Sequence, residues 1–287
     1  MSEDGDRDRR GWSRGRDALA GYHASLEGAP ATRAAVAGPS FRVGTVLGTG
    51  CAVWGRNLVP FLLITALFYA PPWIWAVTVA HGEQTIETIH SVQRAYVTAT
   101  YLTIPLNVFV AATLTYGVVM ELNGQRATIG ACIATGLTRF LPALGVGVST
   151  WLCVGLASIA LVIPGLLVLC MLYVATPVSV VERPSMAVAL SRSADLTKGR
   201  RLRVFGLILV VTAVNMMSMQ VVRILAISAD AKTLEDVFDN LSRLIYISFV
   251  HQVITGSLSA VMTSVAYYYL RAEKEGTSTA ELAAIFE

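Results

Sequence analysis

The sequence predicts an all-α, polytopic membrane protein: six transmembrane helices arranged as three hairpins, each preceded by an amphipathic interfacial helix. Three observations predict it. Charged residues make up only 14% of the chain and hydrophobic ones 54%, where a soluble domain carries ~25% charged residues. Residues 141–181 contain no Asp, Glu, Lys or Arg. As one helix that run would measure roughly 60 Å, about twice the ~30 Å hydrocarbon core, so it must fold back into two passes. Finally, a one-sided stretch followed by an all-round apolar run recurs three times, giving pseudo-repeats at about 41–121, 127–182 and 184–271 that share pattern and period rather than letters.

Residues 1–40 are polar, with Arg7, Arg9, Arg10, Arg14 and Arg16 interleaved with Asp4, Asp6, Asp8 and Asp17. They lack the apolar core of a signal peptide and read as a disordered cytoplasmic tail. From Phe41, the residues Val43, Val46, Leu47 and Trp54 recur at helical spacing, which predicts a short interfacial helix before the first span at about 58–80. Pro71 and Pro72 are expected to kink that span. A second span follows at about 95–120. The one-sided set Ile129, Cys132, Ile133, Gly136, Leu137 and Phe140 then opens the second unit.

Its central hairpin is expected to turn at Ile163-Pro164-Gly165, where proline removes a backbone donor and glycine permits reversal. After Glu182, the residues Met186, Ala189, Leu190, Ser193 and Thr197 at helical spacing predict a surface helix. Pro184 is expected in its first turn and Gly199 at its stop. The collar Lys198 to Arg203 leads into span five, about 204–228, and span six covers about 244–270. Residues 272–287 form a cytoplasmic tail whose Ser278-Thr279-Ala280-Glu281 has capping-box spacing, predicting a short helix with Leu282, Ile285 and Phe286 on one side.

Ile163-Pro164-Gly165, Pro177-Val178, Val180-Val181-Glu182, Ala189-Leu190-Ser191-Arg192-Ser193 and Leu196-Thr197-Lys198-Gly199-Arg200-Arg201 also carry a resemblance, with Tyr267-Tyr268-Tyr269-Leu270-Arg271 and Glu275-Gly276 extending it. Over about residues 41–276 the chain resembles the membrane domain fused to some glycerophosphoryl diester phosphodiesterases, and related stand-alone bacterial multi-pass membrane proteins. The phosphodiesterase chemistry of those relatives belongs to a separate soluble barrel. The resemblance therefore implies the membrane module without the enzyme.

Lys and Arg cluster beside the spans on one side, in the first tail, at Arg126 and Arg139, in the collar and at Arg271 and Lys274; the other side has Arg94, Lys232 and Arg243. Both termini are therefore expected in the cytoplasm of a bacterial plasma (inner) membrane. The net charge of +3 implies no nucleic-acid partner. Cys51, Cys132, Cys153 and Cys170, and His23, His81, His90 and His251, show no metal-ligand spacing, so no metal and no cofactor are expected. Gly48-Thr49-Gly50 follows no strand and is not a dinucleotide motif.

Two sets of candidate residues remain. Arg192, Lys198, Arg200, Arg201 and Arg203 gather beside a surface helix, where they bind anionic lipid or a protein partner, or serve only to enforce orientation. Asn215, Met219 and Arg223 fall on one face of span five with Gln220 beside them. With Asn107, His251 and Gln252 they form either an intramembrane polar path or ordinary interhelical hydrogen bonds. The expected function is a non-catalytic membrane module that binds lipid or a partner at its cytoplasmic face. The alternative is a small transporter or channel for a lipid-like or amphipathic solute.

Overall fold

The computed structural model describes residues 40–82, 85–125, 127–226 and 233–275, with the backbone alone at 86 and 87. The expected features of the first tail, of the C-terminal helix, and of Arg126 and Lys232 lie outside the described residues. Among the described residues the chain is all-helical: α1 Val43–Arg56, α2 Leu58–Ala80, α3 Ile86–Leu122, α4 Ile129–Ala160, α5 Val162–Leu172, α6 Ala175–Val181, α7 Met186–Thr197, α8 Arg201–Ala226 and α9 Leu234–Glu275. Six helical segments are long and apolar enough to cross a membrane: α2, α3 from Thr88, α4, the α5–α6 segment Val162–Val181, α8 and α9. The chain has the character of a multi-pass membrane protein.

Local sequence explains most helix starts. Thr128 caps α4 by accepting from the Ala131 N–H, and Thr85 forms a capping box with Thr88 at α3. At α9, Thr233 N–H donates to Asp236 Oδ2 while Asp236 N–H donates to Thr233 Oγ1. Glu235 and Asp236 also place negative charge in the first turn, where the helix dipole favours it.

Three sequence expectations are corrected in detail. The break between α4 and α5 falls at Leu161, whose backbone is extended, and Pro164 and Gly165 lie inside α5. A proline in the first turn forfeits no helical bond, because the first amide donors of a helix have no partner anyway. Gly165 is needed instead for close approach, since a Cβ there would overlap Ser158 Oγ across the break and lie 2.9 Å from Ser158 Cβ. Pro184 lies outside α7, which Ser185 precedes as N-cap. The one-sided stretch at Ile129 to Phe140 is continuous with the following span, because α4 runs unbroken through Arg139 and Pro142. Helix α2 holds Pro71 and Pro72 inside its length, the pair expected to kink it.

Side-chain contacts set the helix directions. Tyr96 Oη lies 3.5 Å from Ser248 Oγ, Gln252 Nε2 donates to Thr103 Oγ1 at 3.4 Å, and the Thr115 and Ser264 hydroxyls meet at 3.0 Å. Residue numbers rise together, so α3 and α9 run parallel. Against both of them α2 is antiparallel: Phe68 meets Phe109 at a tilt and Trp73 meets Tyr96 edge-on, while Trp73 reaches Phe249 and His81 reaches Tyr246. Helix α1 lies antiparallel on α9 through Thr49 to Tyr269 and Trp54 to Ser257.

The centre of the bundle is α2, α3 and α9, packed around Tyr69, Ile64, Leu114 and Ile245. Helices α4 and α8 are peripheral: in their most apolar windows 17% and 11% of residues are buried, against 56% in α3. Their outward faces carry Leu141, Trp151, Leu156 and Ile159, and Met216, Met217, Ile224 and Leu225. An apolar surface of this extent is stable against hydrocarbon, not water.

Candidate functional site

The helix ends at Val181, Arg201 and Glu275 meet at one end of the bundle, and the basic collar lies there. The amphipathic character of α7 builds the first part of this end. Its buried face, Ala189, Ser193, Leu196 and Thr197, rests on the end of α5, where Ser193 Oγ and Thr197 Oγ1 both donate to the Met171 carbonyl at 2.9 and 3.3 Å. That docking carries Arg192 to Glu182, the C-cap residue of α6, with Nε donating to Oε2 at 3.0 Å.

Glu182 is the hub of a network. Its Oε1 accepts from Tyr267 Oη at 2.9 Å, Arg271 Nη1 donates to the same Tyr267 oxygen at 3.1 Å, and Arg271 Nε donates to Glu275 Oε2 at 2.9 Å. Arg192 Nη2 pairs with Glu275 as well. The network ties α6, α7 and α9 together through side chains that each keep less than a third of their surface exposed, a setting in which charge-assisted bonds are stronger than on an open surface.

The collar forms the second part. Gly199 takes φ +82°, a left-handed turn that an L side chain resists, so α7 stops and α8 starts two residues later. Arg200 donates from Nε and Nη2 to Glu273 Oε1 at 2.9 and 2.6 Å, and Glu273 Oε2 accepts the Phe41 N–H at 3.0 Å. Hydrogen bonding to Glu273, and then its charge, hold the Arg200 guanidinium above its ordinary pKa. Arg203 Nη1 donates to the Phe41 carbonyl at 3.0 Å, and Lys274 Nζ donates to the Asp195 carbonyl. Arg201 and Arg203 sit in the first turn of α8, where the helix dipole disfavours cations; Glu273 opposes that charge from α9.

Of the five collar candidates, Arg192, Arg200 and Arg203 are thus engaged within the fold. The side chains of Lys198 and Arg201 have no hydrogen bond or ion pair among the described residues, and Arg201 Nε is shut off from solvent without a partner. Residues 198–203 line an open groove of about 460 Å³. Beside it Leu202 is 87% exposed, an apolar side chain at the foot of a candidate span.

The intramembrane candidates divide. Asn107 Oδ1 accepts from Tyr69 Oη at 2.5 Å and its Nδ2 donates to the Thr103 carbonyl; Gln252 joins the same place through Thr103 Oγ1. His251 Nε2 lies 2.8 Å from Ser218 Oγ, which also donates to the Asn215 carbonyl at 2.9 Å. Gln220 and Arg223 are exposed on α8 and are not brought to either group. Among the described residues no three of His, Cys, Asp and Glu come close enough to hold a metal ion.

Sequence reasoning about the site missed Glu182, Tyr267, Arg271, Glu273, Glu275 and the Phe41 backbone. A signal was present for four of them: Glu182, Tyr267, Arg271 and Glu275 belong to the short motifs that carry the resemblance, and in the fold those motifs converge. Neither the curated proteins nor the solved structures contain a match to the chain. Residues 76–271, which include Glu182, the collar and Arg271, match the model of a family described as "Domain of unknown function (DUF7847)", and the chain belongs to that family.

Proposed function

We propose that the protein is a non-catalytic, six-span module of a bacterial plasma membrane that binds anionic lipid at its basic, cytoplasmic end. In this reading α2–α3, the α4 to α6 segment, and α8–α9 are three hairpins. Helix α7 lies at the interface, α1 runs alongside α9, and both termini are cytoplasmic, as expected of the side richer in Lys and Arg. The observation that carries the reading is the pairing pattern of the collar. Lys198 and Arg201 remain unpaired beside an open groove, while their neighbours are held by Glu182, Glu273 and Glu275. Near an anionic leaflet each unpaired basic residue contributes ~1 kcal/mol of attraction. Native mass spectrometry of the full chain released into mild detergent tests this. Anionic lipid adducts enriched over the bulk membrane, and lost on adding salt as screening requires, are expected; a lipid profile equal to that of the bulk membrane rejects the reading.

A second reading, passage of an amphipathic solute, rests on the polar seam at Tyr69, Thr103, Asn107 and Gln252. These groups already satisfy one another, which favours the interhelical role.

A further inference from the structure

We infer that the open groove lined by residues 198–203 is a phosphomonoester site, and that the headgroup it takes is the terminal phosphate of a membrane lipid. The inference rests on the anionic-lipid reading above and narrows it to a chemical class. Four observations carry it. The groove, about 460 Å³, is large enough for a phosphate group with its first glycerol atoms. It is lined by Lys198 and Arg201, neither of them in a salt bridge, by Arg203, whose guanidinium is bonded to a carbonyl, and by Arg200, which Glu273 pairs.

The donors are in surplus as well. Helix α8 begins at Arg201, and the amides of Arg203 and Val204 are taken by the Arg200 carbonyl. The Arg201 and Leu202 amides have no backbone acceptor among the described residues. Arg201 Nε is buried without an acceptor, a condition that costs free energy until an acceptor arrives. Backbone amides following a left-handed glycine, at the start of a long helix, favour an anion.

The stoichiometry selects the monoester. A phosphomonoester carries close to two negative charges near neutral pH and presents three terminal oxygens, whereas a phosphodiester carries one charge and presents two. Two unpaired cations, a third retained charge and two free amides match the former. Lipid is favoured over soluble phosphate because Leu202, next to the groove, is 87% exposed on a helix whose outward face is apolar. An acyl chain leaving the headgroup runs along that face.

The experiment uses the purified full chain in neutral detergent, titrated with phosphatidic acid, phosphatidylglycerol, phosphatidylcholine and inorganic phosphate, with bound lipid counted by native mass spectrometry. One additional charge attracted by one basic residue gives about fivefold more phosphatidic acid than phosphatidylglycerol bound at equal concentration. Lys198→Gln is expected to abolish that preference. Lys198 is exposed and unpaired, so its loss leaves the fold intact; Arg94→Gln, which removes a charge at the opposite end, is expected to change nothing. Equal retention of phosphatidic acid and phosphatidylglycerol overturns the phosphomonoester site and leaves the anionic-lipid reading standing. Retention of neither above phosphatidylcholine overturns both. Displacement of phosphatidic acid by inorganic phosphate at equal concentration overturns the lipid as ligand, and a preference that survives Lys198→Gln overturns the assignment of the site.

Discussion

Replacing Glu182 by glutamine perturbs the network at its hub without changing its size. In Glu182→Gln the side-chain carbonyl still accepts from Tyr267, but the group facing Arg192 becomes an amide donor, so the 3.0 Å bond from Arg192 Nε is lost and Arg192 retains only Glu275. Arg192 and Glu182 keep 30% and 18% of their side-chain surface exposed, so the pair is neither fully screened nor dry. One charge-assisted bond of this kind contributes ~1.5–3 kcal/mol, and at 2–4 °C per kcal/mol for a chain of this size that is roughly 3–12 °C in the unfolding midpoint. The assay is the thermal midpoint of the monodisperse protein in detergent, read by size-exclusion chromatography after heating, for the two single variants Glu182→Gln and Arg192→Gln and the double variant. The double variant is expected to melt well above the sum of the two losses, because each single change already removes the same bond. Strict additivity, or a Glu182→Gln midpoint equal to wild type, refutes the network as the fastener of this end.

Three further outcomes follow from the packing. Gly165→Ala drives a methyl into Ser158 Oγ, and overpacking there is expected to cost ~1–3 kcal/mol; Ser158→Ala restores part of the midpoint only, because Ser158 Cβ remains 2.9 Å away. Tyr69→Phe removes the 2.5 Å bond to Asn107, and a stability loss of ~0.6–1.7 kcal/mol, the range for interhelical bonds in membranes, is expected from denaturation in mixed micelles, with the double variant Tyr69→Phe, Asn107→Leu losing less than the sum of the two single losses. If the seam instead carries a solute, Asn107→Leu abolishes uptake into proteoliposomes while the folded yield stays at wild-type level.

The parts of the fold that depend on local pattern are legible in the sequence, and those that depend on distant partners are not. Six apolar runs, the α7 periodicity and the stop at Gly199 are properties of adjacent residues. The break at Leu161 reads from sequence as a turn at Pro164, because a proline-glycine pair is a turn signal, while a proline in the first turn of a helix costs nothing and leaves no contrary signal. The collar is the plainer case. Its five cations read alike in the sequence, and what separates them is Glu273, 73 residues from Arg200, and the Phe41 carbonyl, 162 residues from Arg203. No local rule connects those positions. For the same reason a joint exchange of Arg200, Arg201 and Arg203 confounds lost ligand with lost fold, whereas Lys198→Gln does not. Ser193 shows the same limit: its helical phase is evident from the sequence, but its complete burial against the Met171 carbonyl makes a cysteine there unreactive whichever side it faces.

The central claim is that the basic end faces the cytoplasm across six spans, and side-specific labelling tests it most directly. Single cysteines are placed at His81, Glu235 and Lys198, all exposed, in a background without Cys51, Cys132, Cys153 and Cys170, and intact cells are treated with an impermeant thiol reagent. Labelling at His81→Cys and Glu235→Cys, with Lys198→Cys reacting only after the membrane is permeabilised, is the expected result; labelling of Lys198→Cys in intact cells contradicts the six-span orientation and the lipid site built on it.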